Sequence, residues 1–83
     1  MHRTTSRFWT QFDHLPPAIQ RLARKNFRLL TRNPAHPSLQ FKKVGRFWST
    51  RIGLTYRALA VEDGADFIRV WIGHHDEHER LIG

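Results

Sequence analysis

The chain has 83 residues, of which 40% are hydrophobic, and it carries a formal net charge of +7 with no cysteine. This length suffices for one hydrophobic core, so we expect a single domain over residues 1–83, and the lack of cysteine excludes disulfides and thiolate metal sites. No apolar run approaches the roughly 20 residues that a membrane span requires, and residues 1–7 are polar, so we expect a cytoplasmic protein with no membrane partner.

The first half of the chain predicts two helices. Aromatic residues recur at helical spacing within residues 5–15, and Pro16-Pro17 ends that segment and opens the next one. A second helix is predicted over residues 18–32, and Asn33-Pro34 ends it because proline disfavours helix in the residue before it. The apolar face of this second helix consists of Ile19, Leu22, Ala23, Phe27 and Leu30.

From residue 39 onward the hydrophobic period changes to two, which is typical of strands. Four short strands are predicted, over residues 39–44, 47–52, 54–61 and 67–72. Their connections are only a few residues long, so they allow only antiparallel neighbours. The sequence therefore predicts an α+β fold, with an N-terminal helical hairpin packed on a small, mainly antiparallel four-stranded sheet.

Basic residues dominate the chain up to Arg57, where the charge balance is +11, whereas residues 58–83 have a balance of −4. So basic a surface favours a polyanionic partner, either a nucleic acid or an acidic protein. The second helix carries a stripe of cations opposite its apolar face, and no acid interrupts it. This stripe is either a solvated face or a binding surface, and it consists of Arg21, Arg24, Lys25, Arg28 and Arg32.

The predicted strands carry five further cations within sixteen residues, namely Lys42, Lys43, Arg46, Arg51 and Arg57. Arg57 alternates with Leu59 and Val61, so its guanidinium is expected to be half desolvated and to require an anion. Two interpretations are open: a structural ion pair with an acid at positions 76, 77 or 79, or a bidentate clamp on a phosphate.

Three histidines and three carboxylates follow the last predicted strand, within residues 74–79. Three interpretations of this cluster are open. His74 and His78, at i and i+4, are spaced as metal ligands, but the cluster lacks the His-Glu-x-x-His order. A polar surface turn is the second interpretation. An acid/base site is the third, because imidazole both accepts and donates protons near neutral pH.

The order of several segments resembles the RelE/ParE superfamily of type II toxins, over nearly the whole chain. These segments are Leu15-Pro16-Pro17, the basic helix, Asn33-Pro34-Ala35-His36-Pro37-Ser38-Leu39, Phe41-Lys42-Lys43-Val44, Arg51-Ile52, Tyr56-Arg57-Ala58-Leu59 and Trp71-Ile72-Gly73-His74-His75-Asp76-Glu77-His78-Glu79-Arg80-Leu81.

The resemblance implies a helical hairpin on an antiparallel sheet and an acidic antitoxin as partner. In the RNA-cleaving branch it implies a ribosome-dependent endonuclease without cofactor or metal, in which the 2′-hydroxyl of the messenger RNA attacks the adjacent phosphate. Arg57 matches the arginine that stabilises the attacked phosphate, and His75 and His78 are the predicted acid/base residues. The predicted RNA-binding residues are Lys42, Lys43, Arg46 and Arg51.

The chain departs from the family pattern at two places. His78 stands where the relatives carry a tyrosine, and residues 1–4 lack apolar alternation, so the first strand of the fold is expected to be short or missing. Two alternatives to the nuclease remain open: a ParE-like protein that blocks DNA gyrase without chemistry, and a degenerate toxin that only binds its antitoxin.

Overall fold

The computed structural model describes residues 2–82. In chain order its elements are β1 (His2–Thr4), α1 (Ser6–Asp13), α2 (Pro17–Arg32), a single 3-10 turn (Pro37–Leu39), β2 (Lys42–Val44), β3 (Phe47–Ile52), β4 (Tyr56–Asp63), β5 (Asp66–His74) and α3 (His75–Ile82). The strands form one sheet in the order β1-β5-β4-β3-β2. The predicted α+β class and helical hairpin are therefore confirmed.

The predicted strand count of four is wrong, because β1 adds a fifth strand at the edge of the sheet. It pairs with β5 in parallel, through His2 opposite Phe67, Arg3 opposite Ile68 and Thr4 opposite Arg69. The link from β1 to β5 contains both helices, which supplies the long crossover that a parallel pair requires. The other four strands pair antiparallel, as their short connections predict.

The helical hairpin covers one face of the sheet. Helix α1 is capped by Thr5, whose hydroxyl accepts a hydrogen bond from the backbone N–H of Phe8 at 3.1 Å. Helix α2 begins with Pro17 in its first turn, where the missing N–H costs nothing. Seven buried side chains from both layers form the core: Phe8, Phe12, Leu15, Ala23, Ile52, Ala58 and Ile72.

All five residues of the cation stripe on α2 are exposed, as the helical periodicity predicts. No helix within residues 2–82 combines the length and the apolar character needed to cross a bilayer.

A β-bulge in β5 decides which side chains face the helices. Trp71 lies opposite Leu59, but Arg69 lies opposite Ala60, so one extra residue, Val70, is inserted between these pairs. Because side chains alternate along a strand, a regular β5 would direct residues 69 and 71 to the same face. The bulge instead places Arg69 on the helix side of the sheet, against the ring of Phe27, and Trp71 on the opposite side.

The short helix α3 lies on that opposite side, and the sequence did not predict it. The imidazole Nδ1 of His74 accepts a hydrogen bond from the N–H of Asp76 at 3.2 Å, so a side chain caps the first turn. Asp76 and Glu77 lie in that turn and Arg80 in the last one, an arrangement that the helix dipole favours.

Candidate functional site

A polar cleft of about 230 Å³ lies on the α3 side of the sheet. Strands β2, β3 and β4 form its floor, and α3 closes one end. We call this feature the cationic cleft. It is lined by Gln40, Lys42, Val44, Ser49, Arg51, Arg57, His78 and Glu79.

The register of the sheet brings the basic residues together. Lys42 lies opposite Ser49, and Arg51 lies opposite Arg57. Ser49 and Arg51 are two residues apart on β3, so their side chains share a face, and the cross-strand partners share it too. Three cations from three strands therefore meet on one surface.

Arg51 and Arg57 form a like-charge pair directly across two strands, an arrangement that is destabilising unless an anion is bound. Their guanidiniums donate to backbone carbonyls instead of carboxylates: Arg51 Nε to Gly53 at 3.0 Å, and Arg57 Nη1 to Tyr56 at 2.9 Å. Burial lowers the pKa of Arg57, as does the charge of Arg51, while Glu79 opposes the shift.

The structural ion pair considered for Arg57 is not formed. Within residues 2–82 no carboxylate comes within ion-pair distance of Arg57, although Glu79 lines the same cleft. None of the acids at 76, 77 and 79 therefore forms an ion pair with this guanidinium, and the charge of Glu79 acts on it only through the cleft.

His78 is the buried imidazole of the cleft, with 4% of the residue exposed. Its Nε2 lies 2.7 Å from the hydroxyl oxygen of Ser49, and its ring packs 6.3 Å from that of Trp71. Burial lowers the pKa of His78; the charges of Arg57, Lys42 and His75 add to this, and Glu79 works against it. The ring is therefore neutral at pH 7, with a lone pair able to take a proton.

Gly73 makes room for this arrangement. A Cβ atom at Gly73 would lie 2.7 Å from Cζ2 of Trp71, so any side chain would displace the indole that supports His78. The Gly-x-His sequence at the end of β5 thus has a packing reason in addition to any catalytic one.

His75 lies at the start of α3, one helical turn before His78, and it does not line the cationic cleft. Its Nδ1 is 3.3 Å from a carboxylate oxygen of Asp76, and its ring stacks on that of His74 at 4.6 Å. His74, His75 and Asp76 each offer a ligand atom within 4.8 Å of the others, and within residues 2–82 they are the one such group able to hold a metal ion.

Two of the predicted RNA-binding residues lie outside the cationic cleft. Lys43 is opposite Trp48 on the helix side of the sheet, where its Nζ lies 3.4 Å from Glu62. Arg46 lies in the turn between β2 and β3, 5.2 Å from the ring of Phe47. Ser49 lines the cleft but was not predicted from the sequence, whereas Glu79 was considered there only as an ion-pair partner of Arg57. The period of two was the available signal for Ser49, which precedes Arg51 by two residues on one strand.

No family model matches the sequence, and none of the curated proteins does. Solved structures do match. A chain of the RelB-RelE antitoxin-toxin complex from Methanococcus jannaschii superposes with a TM-score of 0.75 at 15% identity, covering 98% of this chain and 99% of that one. The chain has the RelE/ParE fold.

Two further structures share the RelE/ParE fold with this chain. One is a chain of the RelBE2 toxin-antitoxin complex from Mycobacterium tuberculosis, with a TM-score of 0.68, 24% identity, and coverage of 89% of this chain and 95% of that one. The other is the YoeB/ParE toxin from Agrobacterium tumefaciens, with a TM-score of 0.72, 14% identity, and coverage of 89% and 96%. The RelE/ParE resemblance seen in the sequence thus holds at the level of the fold.

Proposed function

We propose that this protein is the toxin of a type II toxin-antitoxin system and cleaves messenger RNA on the ribosome. The observation that carries the proposal is the convergence of Lys42, Arg51 and Arg57, none of which forms an ion pair within residues 2–82, beside the buried imidazole of His78. Cations that lack an anion suit a phosphate, and a buried neutral imidazole suits proton transfer.

In the proposed reaction Lys42 and Arg51 hold the RNA backbone, and Arg57 stabilises the charge that develops on the attacked phosphate. The 2′-hydroxyl oxygen forms a bond to the adjacent phosphorus while the bond to the 5′-oxygen breaks. The products are a 2′,3′-cyclic phosphate and a 5′-hydroxyl, so no water or metal ion is consumed.

His78 accepts the proton of the 2′-hydroxyl in this scheme. Because Ser49 already contacts Nε2, the serine hydroxyl relays the proton, taking it from the substrate and passing its own to the imidazole. His75 lies one turn away on α3 and outside the cationic cleft, so in this scheme it donates a proton to the departing 5′-oxygen of an RNA chain that extends past the cleft. Histidine at position 78 replaces the phenol of the family pattern as a proton carrier, although it does not replace that ring as a stacking surface.

The acidic antitoxin and the cytoplasmic location belong to the same proposal. The solved structures that share the fold include toxin-antitoxin complexes, and the surface of α2 is strongly basic. An acidic protein is therefore the partner expected to neutralise the toxin.

A double variant, H75A/H78A, tests the proposal in cells. On induction of the native gene, translation should stop before replication does, whereas the double variant should lose toxicity and still bind the product of the neighbouring reading frame. Toxicity that survives the double substitution, with replication stopping first, would instead establish a gyrase-blocking protein. A native chain that is harmless but binds the neighbouring product would identify a degenerate toxin.

A further inference from the structure

A second group of arginines lies on the helix side of the sheet, away from the cationic cleft. It lines a groove of about 170 Å³ between α1, α2 and β5. We call this feature the arginine groove. Its lining residues are Trp9, Phe12, Arg24, Phe27, Arg28 and Arg69.

Arg69 lies at the base of the groove, within the aromatic part of the core. Its guanidinium carbon is 4.2 Å from the ring centre of Phe27 and 5.6 Å from that of Phe8. These cation–π contacts use the faces of the planar group and leave its N–H donors unused. The Nε atom is fully buried and has no hydrogen-bond partner, which is a costly state for a charged donor.

Arg24 lies above the same aromatic wall. Its guanidinium carbon is 4.9 Å from the ring centre of Phe12 and 5.6 Å from that of Trp9. Arg28 follows one turn later on α2 and is exposed. In the sequence, Arg24 and Arg28 are recognisable only as members of the cation stripe, because it is the bulge in β5 that brings Arg69 next to them.

The arginine groove contains no acid. None of its three guanidiniums pairs with a carboxylate of residues 2–82, and Asp63 at the end of β4 and Asp66 at the start of β5 contact Arg3. Three like charges in one small groove repel each other, and a bound anion relieves that repulsion. The groove is thus built as a receptor for an anion that this chain does not supply.

We propose that the arginine groove binds a carboxylate side chain of an acidic protein partner, with Arg69 as its central donor and Trp9 in contact with a neighbouring apolar residue. Trp9 suits the second role because 37% of its surface is exposed while its Nε1 is anchored to Thr4 Oγ1 at 2.7 Å. The inference rests on the proposed function and deepens it by locating a docking point for the neutralising partner.

Two observations favour a protein over a nucleic acid as the occupant. The ring faces of Phe12 and Phe27 are already covered by Arg24 and Arg69, so they offer no stacking surface to a base. The proposed RNA site lies on the other face of the sheet. A half-buried arginine beside an exposed indole suits an acidic side chain followed by an apolar one.

The test is a titration of the full-length protein, followed through the three tryptophan indole N–H signals by NMR. The probe is a short synthetic peptide of alternating Glu and Leu, compared with the same peptide carrying Gln for Glu. We expect the Glu peptide to shift the Trp9 signal while Trp48 and Trp71 serve as internal references, and the Gln peptide to bind about tenfold more weakly or worse.

Arg69→Met should lower the affinity for the Glu peptide by about tenfold or more. Arg28→Ala should do the same, and it removes an exposed side chain and leaves the core intact. Arg80→Ala, which removes the same charge from α3, should bind as the native chain does. Three outcomes would each overturn the inference. Arg28→Ala and Arg80→Ala could bind the Glu peptide with similar affinity, or the Trp9 signal could fail to shift at about 1 mM peptide. The third is a larger shift of the Trp9 signal with oligouridylate of equal length than with the Glu peptide. None of these readouts depends on RNA cleavage, which is measured separately in the same variants.

Discussion

Burial of His78 next to cations makes a prediction about stability that requires no knowledge of the substrate. The imidazole is 4% exposed, and its pKa in the folded state is lowered from the ordinary 6.5. Between the folded and the unfolded pKa, the unfolded chain binds more protons at this position than the folded chain does. The contribution of the neutral His78 imidazole to the free energy of unfolding is therefore fully present above pH 6.5. This contribution is lost as the pH falls through the folded pKa of His78.

The perturbation that isolates this contribution is His78→Gln. Glutamine has no charge at any pH in the range, and its amide can still hydrogen-bond to Ser49. Each unit by which the folded pKa lies below the unfolded one removes about 1.4 kcal/mol of stability on acidification. Between about pH 8 and pH 5, we expect the free energy of unfolding of the native chain to fall more than that of the variant. The excess should be about 1.4 kcal/mol for each unit by which the folded pKa of His78 lies below the unfolded one.

Urea unfolding followed by tryptophan fluorescence measures the free energy of unfolding at each pH. The other histidines are the same in both proteins, so the difference between the two curves belongs to position 78. A direct NMR titration of the His78 ring protons gives the folded pKa independently. Equal pH dependence in the native chain and His78→Gln would refute the neutral, desolvated imidazole on which the proposed proton transfer depends.

Three further predictions concern the framework of the cationic cleft. Gly73→Ala should lower the free energy of unfolding by about 1–3 kcal/mol, since the new methyl displaces the Trp71 ring, and near-ultraviolet circular dichroism should report the displaced indole. Asn26→Ala should cost about 1–3 kcal/mol in urea unfolding, because the buried amide donates to the Arg51 carbonyl at 3.1 Å. Arg51→Gln should raise the free energy of unfolding at low salt by up to about 1 kcal/mol, because it relieves the repulsion between Arg51 and Arg57. The same substitution should weaken oligonucleotide binding. A loss of stability in Arg51→Gln would contradict the like-charge interpretation.

The sequence was sufficient for the parts of the fold that depend on local pattern. The 3.6-residue period located the two helices of the hairpin, and the two-residue period with short links located four antiparallel strands. It also placed Arg51 and Arg57 on neighbouring strands. Their direct opposition depends on the register, which the bend at Gly53 sets and no local pattern reveals.

The features of the fold that the sequence did not predict depend on tertiary structure. Strand β1 has only three residues and no alternation. Its pairing with β5 exists only because the two helices carry the chain to β2 at the far edge of the sheet and the antiparallel strands bring it back beside β1. Helix α3 lacks an apolar stripe and begins with an imidazole cap at His74, which is not one of the usual capping residues. The bulge at Val70 inverts the strand parity, so the alternation of the sequence could not reveal that Arg69 and Trp71 face opposite sides.

The most direct test of the proposed function is cleavage of messenger RNA on purified ribosomes by the native chain, Arg57→Gln and Arg7→Gln. The two variants lose the same charge, but Arg7 is exposed on α1, in the layer opposite the cationic cleft. We expect the native chain and Arg7→Gln to produce fragments ending in a 2′,3′-cyclic phosphate, and Arg57→Gln to be slower by about 100-fold or more. Equal cleavage by the two variants, or no cleavage by the native chain, would contradict the account.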